Sequence, residues 1–197
     1  MRVMIAVLLA ALVSGAPAMA DAQSGGPAFE RWSKVFSLQV GGGAQSFARG
    51  DQVADISFLN LTPRLSIFPF DPFGASWWKG ALEAGLDGWF QYYLEPSGDA
   101  AGGLKVAGRY HFLGIGALVP YVEGLLGAGG STLEVLGHRS TFTFVLEGGA
   151  GLSYFLTDAF ALTAGYRFQH QSNGGTRMPN RSYEAQTGTV GVSSVFR

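Results

Sequence analysis

From Trp77 to Leu94 the chain keeps a strict period of two. The even positions read Trp78, Gly80, Leu82, Ala84, Leu86, Gly88, Phe90, Tyr92 and Leu94, while the odd positions include Lys79, Glu83, Asp87 and Gln91. An alternation that long is a strand signal, because successive side chains of a strand point to opposite faces. It returns three times downstream: Leu104, Val106, Gly108, Tyr110 and Phe112 oppose Lys105, Arg109 and His111. Phe142, Phe144, Leu146, Gly148, Ala150, Leu152 and Tyr154 oppose Thr141, Thr143, Glu147 and Ser153. Phe160, Leu162, Ala164, Tyr166 and Phe168 oppose Thr163, Arg167 and Gln169. Runs near 36–47, 53–68, 119–128 and 183–196 also read as strands, which brings the number to about eight. In the run 53–68 the parity slips around Leu59 to Leu61, which reads as a bulge.

Eight long strands joined by turns predict an all-β, eight-stranded antiparallel up-and-down barrel. Such a barrel is either soluble, with its apolar face inside, or a membrane barrel, with the apolar face turned to lipid. The face bearing Lys79, Glu83, Asp87, Lys105, Arg109, Glu123, Glu147 and Arg167 carries both signs on neighbouring strands, as a narrow ion-paired interior would. The other face holds glycine and alanine freely but almost no charge. Only 14% of the residues are charged, against roughly 25% in ordinary soluble chains. Trp77-Trp78, Phe90 with Tyr92-Tyr93, Tyr154-Phe155 and Phe196 stand near strand ends, where interfacial aromatic girdles belong. The reading is a transmembrane β-barrel. A formal net charge of -1 argues against a nucleic-acid partner, and the absence of cysteine excludes disulfides and thiolate metal sites.

Met1-Arg2, the apolar run Val3 to Val13 and Ala16-Pro17-Ala18-Met19-Ala20 read as a secretory signal peptide over residues 1–20, cut before Asp21. Its eleven apolar residues fall short of a spanning helix, which needs about 20. Residues 21–197 are then one exported barrel domain, expected in a bacterial outer membrane. With both termini on the periplasmic side, the turns Phe70 to Gly74 and Thr157-Asp158 face inward. The linkers Glu95 to Gly102, Gly129 to Arg139 and Asn173 to Ser182 face out, in keeping with short inner turns and long outer loops.

The seventh strand climbs through Phe160, Leu162, Ala164, Tyr166 and Phe168, and its outward face continues with His170 and Ser172. A tilted strand of that length rises about 25 Å and brings His170 to the upper edge of the apolar band. Past the loop, Glu184 shares the outward parity of Val190 and Val192. If Ser172 faces Ser182, an unbulged register sets His170 opposite Glu184. Serine, histidine and carboxylate in that relation could act as nucleophile, base and orienting group. A strand rim is ordinarily polar as well, so the residues alone leave both readings open. Other candidates carry less: Gly41-Gly42-Gly43 lies within a strand pattern with no helix behind it, which defeats a phosphate-loop reading. His111 faces the lumen, His138 lies in an outer loop, and three scattered histidines make no zinc site. Arg167 and Glu147 read as interior ion-pair residues.

The stretch His170-Gln171-Ser172-Asn173-Gly174-Gly175, followed by Met178-Pro179-Asn180 and by Glu184 fourteen residues past the histidine, resembles the signature of the lipid A 3-O-deacylase (PagL) family. These are outer-membrane barrels that remove an ester-linked acyl chain from lipid A. By position, the resemblance implies Ser172 as nucleophile, His170 as general base and Glu184 as its orienting residue. Asn173 and Gly175 match the oxyanion-hole positions. It also implies lipid A of the outer leaflet as substrate, no cofactor or metal, and an acyl chain lying along Phe168 and Tyr166. The chain departs from outer-membrane barrels in ending Phe196-Arg197 rather than on an aromatic residue. Oligomeric state and preferred acyl length are left open. A noncatalytic barrel serving adhesion or membrane integrity, and a soluble ligand-binding barrel, are the alternatives.

Overall fold

The computed structural model describes residues 27–47, 55–113, 115–133, 141–178 and 182–197. The expected leader, His138 and the Pro179-Asn180 pair lie outside these residues. Eight antiparallel strands close on themselves in chain order: β1 (Lys34–Phe47), β2 (Ser57–Ile67), β3 (Gly80–Glu95), β4 (Ala100–Phe112), β5 (Leu118–Ser131), β6 (Phe142–Thr157), β7 (Phe160–Ser172) and β8 (Tyr183–Phe196). Among the described residues no helix is long and apolar enough to cross a membrane. The strands would do the crossing. The register fixes the shape: followed from Lys34 through Ile67, Ala84, Gly108, Gly124, Gly148, Phe168 and Gln186, the pairing returns to β1 at Ala44. That is ten residues beyond its start, a shear that tilts eight strands by about 40°.

The two faces separate as the alternation demands. Leu65, Leu86, Leu104, Val106, Leu126 and Leu146 stand exposed on the outer wall. Inside, Arg64, Lys105, Arg109 and Arg167 are buried with Glu83, Asp87, Glu123 and Glu147, four cations against four carboxylates. Glu123 accepts from three guanidinium groups: Arg167 Nε at 2.7 Å, Arg109 Nη2 at 2.9 Å and Arg64 Nη2 at 3.1 Å. Arg64 also meets Asp87 through Nε at 2.6 Å, and Lys105 Nζ reaches Glu147 at 2.9 Å. His111 is satisfied on one side by Glu83, Nε2 to Oε2 at 2.7 Å.

Two apolar layers cap this ionic belt. At the end carrying the termini and the short turns (the turn end), a 3-10 turn, Pro27–Phe29, sends Phe29 into the lumen against Phe68 and Phe155, both at 5.3 Å between ring centroids. At the opposite, loop end, Ile56, Phe58, Trp89, Tyr93, Leu133, Val145 and Tyr183 pack together. The barrel is therefore filled from end to end.

The structure departs from the expected pattern in β2, in two girdle aromatics and at the loop end of the ladder. β2 alternates without interruption from Phe58 to Ile67, so there is no bulge at Leu59 to Leu61. The register shift lies at Ser57/Phe58. Phe58 looks out of step only because it joins the inner aromatic layer. With the parity intact, Arg64 points inward as the partner of Asp87, and Lys79 precedes β3 outside the belt. Tyr93 and Phe155, expected in the girdles, are inside the barrel for the same reason. The ladder is also longer than expected at the loop end, since Ala100 to Gly102 and Gly129 to Ser131 are strand. A Cβ at Gly129 would collide with the Gly102 carbonyl oxygen, so the glycines there mark two backbones in close approach.

Candidate active site

β7 and β8 deliver the three triad candidates to the outer wall at the loop end. Their ladder pairs Phe168 with Gln186, His170 with Glu184 and Gln171 with Tyr183, and there it stops. His170 Nδ1 lies 3.6 Å from Glu184 Oε1, with both side chains part-exposed at 38% and 29%. That is an ion-pair distance, a few tenths of an ångström beyond a hydrogen bond. Such contacts tighten commonly when substrate enters. The register expected from the sequence is thus present: the carboxylate faces the imidazole across the pair of strands.

Ser172 is one residue past the last β7–β8 pair. It is held from the other side, by its pairing with Phe144 on β6 and by Thr143 Oγ1, which donates to its carbonyl oxygen at 3.3 Å. The Ser172 hydroxyl makes no hydrogen bond among the described residues. It shares the outward parity of His170, two residues away, but the two side chains are not bonded. Leu146 pairs with His170, and Phe142 and Phe144 stack edge-to-face at 4.9 Å beside Ser172. Phe168 and Tyr166 follow on the outward face of β7, both exposed. The wall around the serine and histidine is therefore apolar and aromatic.

The loop beyond Ser172 is folded by Asn173. This residue has the inward parity and is fully buried. Its Oδ1 accepts from Gly175 N at 2.9 Å, and its Nδ2 donates to the Arg177 carbonyl oxygen at 2.8 Å. Its own carbonyl accepts from Thr176 Oγ1 at 2.8 Å. Gly174 and Gly175 both adopt left-handed conformations, φ +63° and +77°, which suit glycine. A Cβ on Gly174 would also strike the Phe144 ring at 2.7 Å. Asn173 and Gly175 are thus brought within one hydrogen bond of each other and next to Ser172. The Gly175 N–H and the Asn173 amide are already engaged within the loop.

Sequence reasoning did not single out Gln171 and Tyr183, which lie on the inward face directly behind His170 and Glu184. The signal was available, since a glutamine and a tyrosine at lumen positions of two paired strands must find polar partners. Among the described residues no three His, Asp or Glu side chains gather in a way that could hold a metal ion.

The family model described as lipid A 3-O-deacylase (PagL) matches residues 64–193. Among solved structures, the outer membrane enzyme PagL superposes with a TM-score of 0.57 at 21% identity, over 80% of this chain and 97% of that one. Neisserial surface protein A (NspA) gives 0.55 at 17% identity, over 83% and 97%. The N-terminal β-barrel domain of Pseudomonas aeruginosa OprF gives 0.50 at 19%, over 83% and 97%. At such identities the structural likenesses establish the fold, that of outer-membrane barrels. No curated protein sequence matches the chain.

Proposed function

The chain belongs to the lipid A 3-O-deacylase (PagL) family, and so to the carboxylic ester hydrolases; on that premise we propose that it removes the 3-O acyl chain of lipid A with Ser172, His170 and Glu184 as its catalytic groups. The observation that carries the assignment is the pairing of His170 with Glu184 on the outer wall, one step below the end of the β7–β8 ladder, with Ser172 two residues along β7. The protein would be exported with residues 1–20 removed and seated in the outer membrane, its loop end outward. Lipid A occupies the outer leaflet, with its acyl esters just beneath the sugar headgroup. A triad at the upper edge of the apolar band meets those esters without lifting the lipid from the bilayer.

Ser172 Oγ attacks the ester carbonyl carbon while His170 takes its proton. Glu184, facing His170 Nδ1, holds the ring in the tautomer that leaves Nε2 free to accept and stabilises the imidazolium once formed. The tetrahedral intermediate collapses as the C–O bond to the sugar breaks, and His170 returns the proton to the departing alkoxide. Water, deprotonated by the same histidine, then hydrolyses the acyl-enzyme and releases the fatty acid. Asn173 and Gly175 would supply the oxyanion donors. The Gly175 N–H and the Asn173 Nδ2 both donate within the loop, so turning either to the oxyanion requires a loop bond to be exchanged for one to substrate.

Expression in a bacterial outer membrane, followed by mass spectrometry of extracted lipid A, tests this directly. Wild type should remove one ester-linked acyl mass. Ser172→Ala and His170→Asn should leave lipid A intact while the barrel still folds. Substantial turnover by either folded variant removes the triad assignment. Unchanged lipid A with wild type, in membranes and again in detergent, would favour a noncatalytic barrel.

A further inference from the structure

The catalytic hairpin is tied to the far side of the barrel. Gln171 lies between His170 and Ser172 and points the opposite way, into the lumen, where it is wholly buried. Its register partner Tyr183 immediately precedes Glu184 and is buried too. Tyr183 OH donates to Gln171 Oε1 at 2.7 Å, and Gln169 Nε2 donates to the same oxygen at 3.0 Å. From there the bonds leave the hairpin. The Tyr183 and Tyr93 hydroxyls are 2.9 Å apart, Gln171 Nε2 donates to Tyr93 OH at 3.4 Å, and Gln91 Nε2 donates to Gln169 Oε1 at 3.1 Å. Tyr93 and Gln91 stand on β3, which neighbours β2 and β4 and reaches β7 and β8 only across the lumen.

Barrel closure does not require such a crossing, and its position gives it a consequence. The β7–β8 ladder ends at the pair Gln171–Tyr183, one step past His170–Glu184, and among the described residues no further pair of the two strands holds Ser172 in register beyond it. Strand ends fray, and the contact that matters is a side-chain pair at 3.6 Å one step from the end. We propose that Gln171, Tyr183 and Tyr93 form a cross-lumen latch of positioning residues, which fixes the end of the β7–β8 ladder from inside and thereby holds Glu184 against His170 on the outside. The latch touches no substrate and acts through Glu184 and His170. This inference rests on the triad assignment above.

Tyr183→Phe is the direct test, because it removes only the hydroxyl shared between Gln171 and Tyr93 and keeps the packed ring. Purified protein in detergent micelles is assayed on lipid A, with folding followed by the heat-dependent shift in electrophoretic mobility. A displacement of catalytic groups by a fraction of an ångström lowers kcat by about tenfold, and KM should stay within about twofold because no substrate contact changes. Tyr121→Phe serves as the control for a lost buried hydroxyl near the turn end, where Tyr121 OH donates to the Ala164 carbonyl oxygen at 3.5 Å. It should leave kcat unchanged. In a Glu184→Ala background Tyr183→Phe should have no further effect on kcat, because the group it positions is gone. Wild-type kcat in folded Tyr183→Phe, an equal fall in Tyr121→Phe, or an undiminished tenfold fall in the Glu184→Ala background would each overturn the latch. Ser172→Ala in the same assay tests the triad separately: activity that survives it condemns the triad, whereas Ser172-dependent activity indifferent to Tyr183→Phe condemns the latch alone.

Discussion

Glu123 is the side chain on which the interior depends most, and replacing it by glutamine isolates its charge. Its two carboxylate oxygens serve Arg64, Arg109 and Arg167. The amide keeps the volume but turns an NH2 donor toward guanidinium donors, and the balance of four buried cations and four carboxylates becomes four and three. The three arginines are not equally stranded. Arg64 retains Asp87 at 2.6 Å, and Arg167 retains Gln39 Oε1 at 2.6 Å with Glu147 at 3.6 Å. Arg109 is left with Glu83 at 3.9 Å and the face of Tyr121 at 4.1 Å. Removing one partner of a buried ion pair costs about 3–5 kcal/mol, since the charge left behind is poorly solvated. Glu123→Gln should therefore lose about that much, and adding Arg109→Met should recover at least half of it by removing the stranded cation. Equilibrium unfolding of the barrel in lipid vesicles, read by the fluorescence of buried Trp89, measures both. A loss under about 1 kcal/mol for the single variant, or a double variant less stable than the single, would refute the reasoning.

Three further outcomes follow from the wall and the loop. A Cβ at Gly149 would collide with the Tyr166 carbonyl oxygen, whereas one at Gly148 meets nothing within 4 Å; Gly149→Ala should cost about 1–3 kcal/mol and Gly148→Ala almost nothing, by the same unfolding assay. Val106 stands on the outer wall midway along β4, and Val106→Arg should cost about 2–4 kcal/mol in a bilayer. In detergent, where the head group reaches water, the loss should shrink. Asn173→Ala removes the bonds to Gly175 and Arg177. It should lower deacylation by about tenfold or more, as loss of an oxyanion-side group does, while leaving the unfolding midpoint of the barrel within error.

The strands are legible in the sequence because hydrocarbon rejects charge so strongly that a charged face can only turn inward. Glu83, Asp87, Lys105 and Arg109 therefore mark the lumen by their parity alone. Apolar residues carry no such information. Phe58, Tyr93 and Phe155 suit lipid or a packed interior equally well, and only the capping layers of this barrel decide between them. That ambiguity produces the false bulge and conceals Arg64 as the partner of Asp87. At the site, parity counted from Asp158 places His170 and Ser172 outward, and the register to Glu184 follows from assuming an unbulged hairpin, which the ladder has. The proposed oxyanion side is less legible. Whether the Gly175 N–H is free depends on which way Asn173 points, and here the Asn173 side chain folds onto its own loop.

The division between the two parities also explains how a hydrolase can be built on so thin a support. A wall one residue thick has no room for the usual layer of groups behind a catalytic triad. On β7 the proposed catalytic residues, His170 and Ser172, alternate with Gln169 and Gln171, which bond to each other and to Tyr183 and reach further partners across the lumen. A water-filled pore would leave them solvated and mobile. Filling the lumen with an ionic belt and two apolar layers removes that freedom, and the opposite wall becomes the support for the wall that carries the proposed triad. Inner substitutions near the loop end should therefore register in kcat, and those near the turn end, such as Tyr121→Phe, in stability alone.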